Sequence, residues 1–207
     1  MMTGIIKRRQ VLQGGAVLVT TALDAGSPSF ANNLKSALGE LKMNTNYTPI
    51  GKGIVTGKGV GDFDFLAGNW HIRHLRLKGG TKDVWQRFES SATVHSVLGG
   101  MGSIEELRQS DGSDMGMAVR IWLPEKKEWA DHWTSAATGV VNAPQLGRFI
   151  DGDGVFISEE KVGTKKWQYR GVWDKITSES CRWHQSASDD GGKSWDWNWW
   201  MEWTRQS

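Results

Sequence analysis

Trp195-Asp196-Trp197-Asn198-Trp199-Trp200-Met201-Glu202-Trp203 places five tryptophans in nine residues. The odd positions read Trp, Trp, Trp, Met, Trp and the even ones Asp, Asn, Trp, Glu. Alternation with period 2 is the signal of a strand with one buried face. This strand turns an aromatic wall to one side and polar groups to the other. All 13 tryptophans lie between residues 70 and 203, so the wall belongs to the whole folded unit. An indole carries a large apolar area and one N–H donor, which suits flat ligands, sugar faces or the lining of a cavity.

Working back from that strand, the chain from Asp62 onward reads as strands rich in Trp, Val, Ile, Phe and Thr, separated by turns. The expected turns are Lys78-Gly79-Gly80, Gly99-Gly100, Asp111-Gly112, Pro124-Glu125, Asp151-Gly152-Asp153-Gly154 and Asp189-Asp190-Gly191-Gly192. No long helix is expected after residue 62. Eight to ten strands over residues 62–207 predict an all-β antiparallel barrel or sandwich, and closure into a barrel removes exposed edges. Ser188-x-Asp190-x-Gly192-x-Ser194-Trp195 matches the Asp-box pattern. In that pattern the Asp gathers hydrogen bonds within a hairpin turn and the aromatic plugs into the core. A single copy locks a hairpin and does not make a propeller.

The segment before residue 62 reads differently. Lys7-Arg8-Arg9 precede an interrupted apolar run from Val11 to Ala25, and Ser29-Phe30-Ala31 has small residues where a signal peptidase reads. Residues 1–31 are expected to be an export signal of twin-arginine type, with an ordinary secretory signal or an uncleaved anchor as alternatives. Gly14, Gly15 and Asp24 interrupt the run, so no stable membrane insertion is expected. Cleavage after Ala31 would leave a periplasmic or secreted chain. Its formal charge would fall from +2 to zero, because Lys7, Arg8, Arg9 and Asp24 leave with the signal. No basic stripe remains to track a phosphate backbone, so nucleic acid is not an expected partner. Cys181 is the only cysteine, which excludes an intrachain disulfide. Residues 32–61 are expected to form a short helix (Leu34, Ala37, Leu38, Leu41) and a Gly-rich arm. Within the arm, GKGIVTGKG fails the phosphate-loop pattern, with Lys52 in place of Gly and Gly59 in place of Ser or Thr.

Asp62-Phe63-Asp64-Phe65-Leu66-Ala67-Gly68-Asn69-Trp70 ends in Gly-x-Trp at the start of the first strand. The opening FDFLAGNW resembles bacterial lipocalin-like (calycin-type) families of unassigned function. The stretch RWHQSASDDGGKSWDWNWWMEWTR is similar to their closing hairpin. The resemblance covers residues 62–205 and implies an up-and-down barrel with a cavity for small molecules, closed at one end by Trp70. It supplies no catalytic residues.

Strand parity limits which side chains can meet. Trp70, Ile72, His74 and Arg76 share one face of the first strand, and His71 falls on the other, so His71-x-x-His74 is a poor chelate. No metal site and no cofactor are indicated. An inward His74 is either a proton shuttle or a hydrogen-bonded structural group. Asp131 shares a face with Trp129 and Trp133, and His132 points the other way, so at most one of Asp131 and His132 is in the cavity. Cys181 and His184 also fall on opposite faces, and His184 is placed as able to meet His74 or His132 across the barrel. Arg120 is the candidate to hold an anionic group inside, or else a buttress paired with Glu106 or Glu89. The charged pairs Glu105-Glu106 and Glu159-Glu160 are expected to be solvated hairpin ends.

Two functional classes emerge. One is an exported binder of a small aromatic or apolar molecule, with Trp70, Arg76, Arg120, Trp133, Tyr169 and Trp199 as ligand contacts. The other is a cofactor-independent enzyme, a lyase, isomerase or hydratase, with His74, Asp131, His132 and His184 as acids and bases. A sugar-binding tryptophan platform is the weaker third.

Overall fold

Residues 54–207 are described by the structure, a computed structural model. The export signal, the helix at 32–43 and the start of the Gly-rich arm lie outside the described residues.

Ten antiparallel strands follow one another along the chain: β1 (Gly68–Leu77), β2 (Trp85–Val97), β3 (Gly102–Gln109), β4 (Asp114–Leu123), β5 (Glu128–Ser135), β6 (Gln145–Ile150), β7 (Asp153–Val162), β8 (Lys165–Asp174), β9 (Ser180–Ser188) and β10 (Asp196–Gln206). Each pairs with its neighbour in sequence, and β10 closes back on β1 to complete an up-and-down barrel. The barrel architecture anticipated from the alternation is therefore the one found. The only helical pieces among the described residues are single 3-10 turns, Asp64–Leu66 and Leu98–Gly100. Five of the six anticipated turns fall between strands, and the sixth, residues 151–154, runs into the first two residues of β7. Three further connections, residues 136–144, 163–164 and 175–179, carry weaker punctuation and escape the sequence reading.

One end of the barrel is plugged. Phe63, which caps the 3-10 turn, and Phe65 within it insert among Trp129, Phe149, Phe156 and Trp173, with Phe63 ring centroids 4.9 Å from both Trp129 and Phe149. Trp70 completes the floor, its Nε1–H donating to the Leu66 carbonyl at 2.7 Å. The Arg205 guanidinium lies 4.3 Å over the Trp70 ring and donates to the carbonyls of Phe65 and Ala67, both at 2.7 Å. Gly68 makes this possible: its φ is +125°, and a Cβ there would lie 2.6 Å from Arg205 Nη1. The Gly-x-Trp element thus ends the barrel as anticipated, for a stated steric reason.

The described part of the Gly-rich arm is seated against this floor. Val55 is buried in the core, and the backbone N–H groups of Gly57 and Gly59 donate to the Asp62 carboxylate at 3.0 and 2.8 Å. Burial of Val55 and the charge of Asp62 hold residues that composition alone reads as linker.

The tryptophan-rich strand departs from strict alternation. A register shift between Trp197 and Trp199 inserts a bulge, which reverses the parity of everything before it. Trp199, Met201 and Trp203 face the interior, whereas Trp197 moves to the outer face beside Trp200, ring centroids 5.0 Å apart. Trp195 does not plug the core; it is half-buried outside, with the Arg170 guanidinium 4.3 Å over its ring. The Asp-box geometry itself is intact: Asp190 accepts from the Lys193 and Ser194 backbone N–H groups at 2.9 and 3.0 Å and from Ser194 Oγ at 2.6 Å.

Candidate functional site

Inside the barrel, between the aromatic plug and the opposite rim, lies a cavity of about 110 Å³. An apolar cavity of about 150 Å³ is enough to hold benzene, so this one is of single-ring size. Trp133, Trp173, Trp183, Trp199 and Trp203 line it, with Tyr169 and Met201. They reach it because β5, β8, β9 and β10 each turn alternate residues inward. Glycines on the same inner surface leave the indoles room: a Cβ at Gly116 would lie 2.6 Å from the Trp133 ring, and one at Gly171 would lie 3.1 Å from Trp183 Nε1.

Toward the plug the lining becomes ionic. Glu105 on β3, Arg120 on β4 and Asp131 on β5 lie across adjacent strands, with Glu105 opposite Ala118 and Arg120 opposite Asp131. Arg120 Nη2 donates to Glu105 at 2.7 Å, and its Nε lies 3.2 Å from Asp131 Oδ2. The guanidinium also leans over the plug, 5.1 Å from the Phe63 ring and 5.4 Å from Trp173. Burial works against the Arg120 charge, yet Asp131 and Glu105 more than offset it and raise its pKa. For the two carboxylates burial wins, and both Glu105 and Asp131 are held above their ordinary range despite Arg120. Two acids sharing one cation behave this way when dry, because one guanidinium cannot fully compensate two buried negative charges. Arg120 is a partner of Glu105 and Asp131, and neither Glu106 nor Glu89 is the buttress proposed for it.

Nearer the rim, Glu160 on β7 joins the lining, and burial raises its pKa too. Tyr169 lies on the neighbouring β8, where burial and the Glu160 charge push its phenol up to about 12. Gln145, Asn142 and Ala143 complete the rim on this side. The expectation that Glu105-Glu106 and Glu159-Glu160 are solvated ends is therefore corrected. Both pairs lie within strands, so alternation sends Glu105 and Glu160 inward and leaves Glu106 outside, paired with Arg108.

His74 points inward, as parity required, but does not line the cavity. It is 1% exposed, stacked on Phe88 at 4.2 Å, and bonded at both nitrogens. Trp199 Nε1–H donates to Nδ1 at 3.1 Å, so Nε2 carries the proton and donates to Ser90 Oγ at 2.6 Å. Burial, then the charges of Arg76 and His71, lower its pKa to about 3. A neutral imidazole with both nitrogens engaged holds Trp199 in place. Arg76 also contacts the same indole, its guanidinium 4.1 Å over the Trp199 ring.

The remaining histidines lie outside the barrel wall. His71 faces Glu89 at 3.3 Å, so the His71–His74 pair is divided as expected. His132 Nδ1 donates to the Asn142 carbonyl at 3.1 Å and ties down the 136–144 connection; Asp131 takes the inward position. His184 does not approach His74 or His132: it lies on the outer face against Trp197 and Trp200, centroids 4.5 and 4.6 Å away. There its Nε2–H donates to Asp174 at 3.1 Å. Burial alone would raise the Asp174 pKa, but hydrogen bonds from His184 and Arg182 outweigh it and keep the carboxylate low. Trp183 and Gln185 take the inward positions on either side. The physical reason is the alternation of β9 combined with the bulge in β10, which supplies two indoles to cover an outward imidazole.

Of the residues proposed from the sequence, the cavity gathers Arg120, Asp131, Trp133, Tyr169 and Trp199; His74 and Arg76 support Trp199 from behind; Trp70 belongs to the floor. Trp173 and Trp183 join the lining without being candidates from the sequence, and Glu105 and Glu160 join it against the expectation that they are solvated. Among the described residues no three His, Cys, Asp or Glu side chains converge on a point that would hold a metal ion. Cys181 is buried, which drives its thiol pKa well up and leaves it unreactive.

The sequence matches no protein-family model and no curated protein. Among solved structures it is similar to an S-type phycobiliprotein lyase from Guillardia theta. The identity there is 10% and the TM-score 0.48, over 70% of this chain and 90% of that one. It is also similar to a protein of unknown function from the DUF3598 family of Nostoc punctiforme. In that case identity is 11% and the TM-score 0.43, over 78% of this chain and 53% of that one. These likenesses lie in the course of the chain and say nothing of a shared activity.

Proposed function

We propose that this chain is an exported small-molecule-binding barrel whose ligand is a flat, ring-sized molecule. The observation that carries the reading is the cavity of about 110 Å³ walled by five indoles inside a closed barrel. Aromatic walls provide dispersion and apolar burial over both faces of a ring, and the ionic groups in the lining orient it. Export rests on the twin-arginine-like segment Lys7-Arg8-Arg9 and on a chain that needs no disulfide. The test is mass spectrometry of the protein purified from its own host, under native and then denaturing conditions. A mature chain starting after Ala31 that releases a small molecule supports both parts. A chain of full length from the periplasm removes the cleaved signal, and an empty cavity that admits no aromatic metabolite in a screen removes the binder.

A second reading, acid catalysis in the same cavity, is favoured by one observation: Glu105 and Asp131 share a single guanidinium inside an aromatic enclosure. Burial raises both carboxyl pKa values, the direction that suits an acid protonating a substrate in a lyase or isomerase. Asp131→Asn would then abolish turnover while leaving binding in place. His74, His132 and His184 contribute no acid or base in this reading, since none lines the cavity.

A further inference from the structure

One of the two sequence readings of Arg120, the other being a structural buttress, has it hold an anionic group in the cavity. The cavity's charge balance is the reverse. Glu105, Asp131 and Glu160 all line it, and among the described residues Arg120 is the only cation in the lining. Arg120 is already held by two of those carboxylates and leans toward Phe63 in the plug, away from the rim. Three acids against one engaged base leave the enclosure short of positive charge. Burial holds the carboxyl groups of Glu105, Asp131 and Glu160 above their ordinary range, as befits acids lacking a sufficient partner.

The walls point the same way. Indole faces carry negative electrostatic potential, and a cation enclosed by several of them is attracted without a hydrogen bond. The fold already uses this preference where it has arginines to spare: Arg76 lies over Trp199, Arg170 over Trp195, Arg182 over Trp200 and Arg205 over Trp70. Trp133 and Trp183 line the cavity without a cation against either ring among the described residues.

We propose that the ligand is a cation: a small organic ammonium or protonated nitrogen ring that seats against Trp133 and Trp183 with its charge toward Glu160 and the Glu105–Asp131 pair. The proposal rests on the binding reading above and adds the sign of the ligand's charge. Glu160 near the rim and the Glu105–Asp131 pair toward the plug put acidic groups at both ends of the cavity. An anion would have to pass Glu160 and then displace a carboxylate from Arg120, which leaves that acid buried and unpaired.

Titration calorimetry at pH 7 with three ligands of one ring and different charge tests this: benzylammonium, benzyl alcohol and benzoate. Benzylammonium should bind at least about tenfold more tightly than the other two. Glu160→Gln, an isosteric change at a half-buried position near the rim, should weaken benzylammonium several-fold and leave benzyl alcohol unchanged. Equal affinity for benzyl alcohol, or a preference for benzoate, overturns the charge assignment and leaves the binding barrel standing. Binding of none of the three also overturns it, and the binder itself is then decided by the released molecule in the native mass spectrum. A Glu160→Gln protein that binds benzylammonium as tightly as the parent overturns the role given to that carboxylate.

Discussion

His74 shows how a single residue is committed by its surroundings. A buried imidazole that accepts from Trp199 and donates to Ser90 has no site left for a proton, and its pKa falls to about 3. In the unfolded chain the same ring titrates near 6.5. Between those values the unfolded state binds the extra proton. The stability contributed by a neutral His74 is therefore complete above pH 6.5 and is lost as pH falls toward 3, by up to about 1.4 kcal/mol per pH unit. Asp153 works in the opposite sense. Burial and then the Asp174 charge raise its pKa to about 6, so its effect costs stability as pH rises from 3.8 to 6. The His74 contribution is isolated by comparison with His74→Gln in urea unfolding. The parent's advantage over the variant should shrink as pH drops from 6.5 to 4, and a constant difference would show that His74 titrates normally. The Trp199 indole, released from Nδ1, should also change its emission.

At the scale of the element, the strands depend on where side chains are missing. β6 is the shortest strand, and Gly147 within it faces the backbone of β7. A Cβ at Gly147 would collide with the Val155 carbonyl oxygen and lie 2.7 Å from Phe156 Cα, neither of which can rotate away. Gly147→Ala should destabilise the barrel by about 1–3 kcal/mol, read as a shift of the urea midpoint at constant m-value. A midpoint within experimental error of the parent would mean that β6 and β7 part easily. The hairpin from β9 to β10 is held instead by polar bonds converging on Asp190. Those hydrogen bonds, from Ser194 and Ser188 first, hold its carboxylate well below the usual range. Asp190→Ala should speed amide exchange across residues 188–196 and leave exchange in β3 and β4 unchanged. Loss of protection throughout the barrel would make the turn part of the global folding unit.

For the whole molecule, closure couples the plug to the cavity. Phe63 is 2% exposed and reaches β5, β6, β7 and β8 at once through Trp129, Phe149, Phe156 and Trp173. It also carries the Arg120 guanidinium on its ring. Phe63→Ala should cost about 3–5 kcal/mol and still unfold in one transition, because no strand of a closed barrel can leave alone. A two-step unfolding curve would show that the plug folds apart from the wall. The sequence by itself determined the all-β class, most of the turns, the face shared by Trp70, Ile72, His74 and Arg76, and the division of Asp131 from His132. These follow from local rules: period-2 alternation within a strand and turn chemistry at its ends. Only the tertiary structure decided that Trp197 faces outward, that His184 lies outside with Asp174, and that Glu105 and Glu160 join the cavity. A bulge one residue long reverses parity without a sequence mark, and the pairing of Glu105, Arg120 and Asp131 depends on register across three strands. Charge in a cavity is a sum over strands distant in sequence, so its sign appears only when the barrel closes.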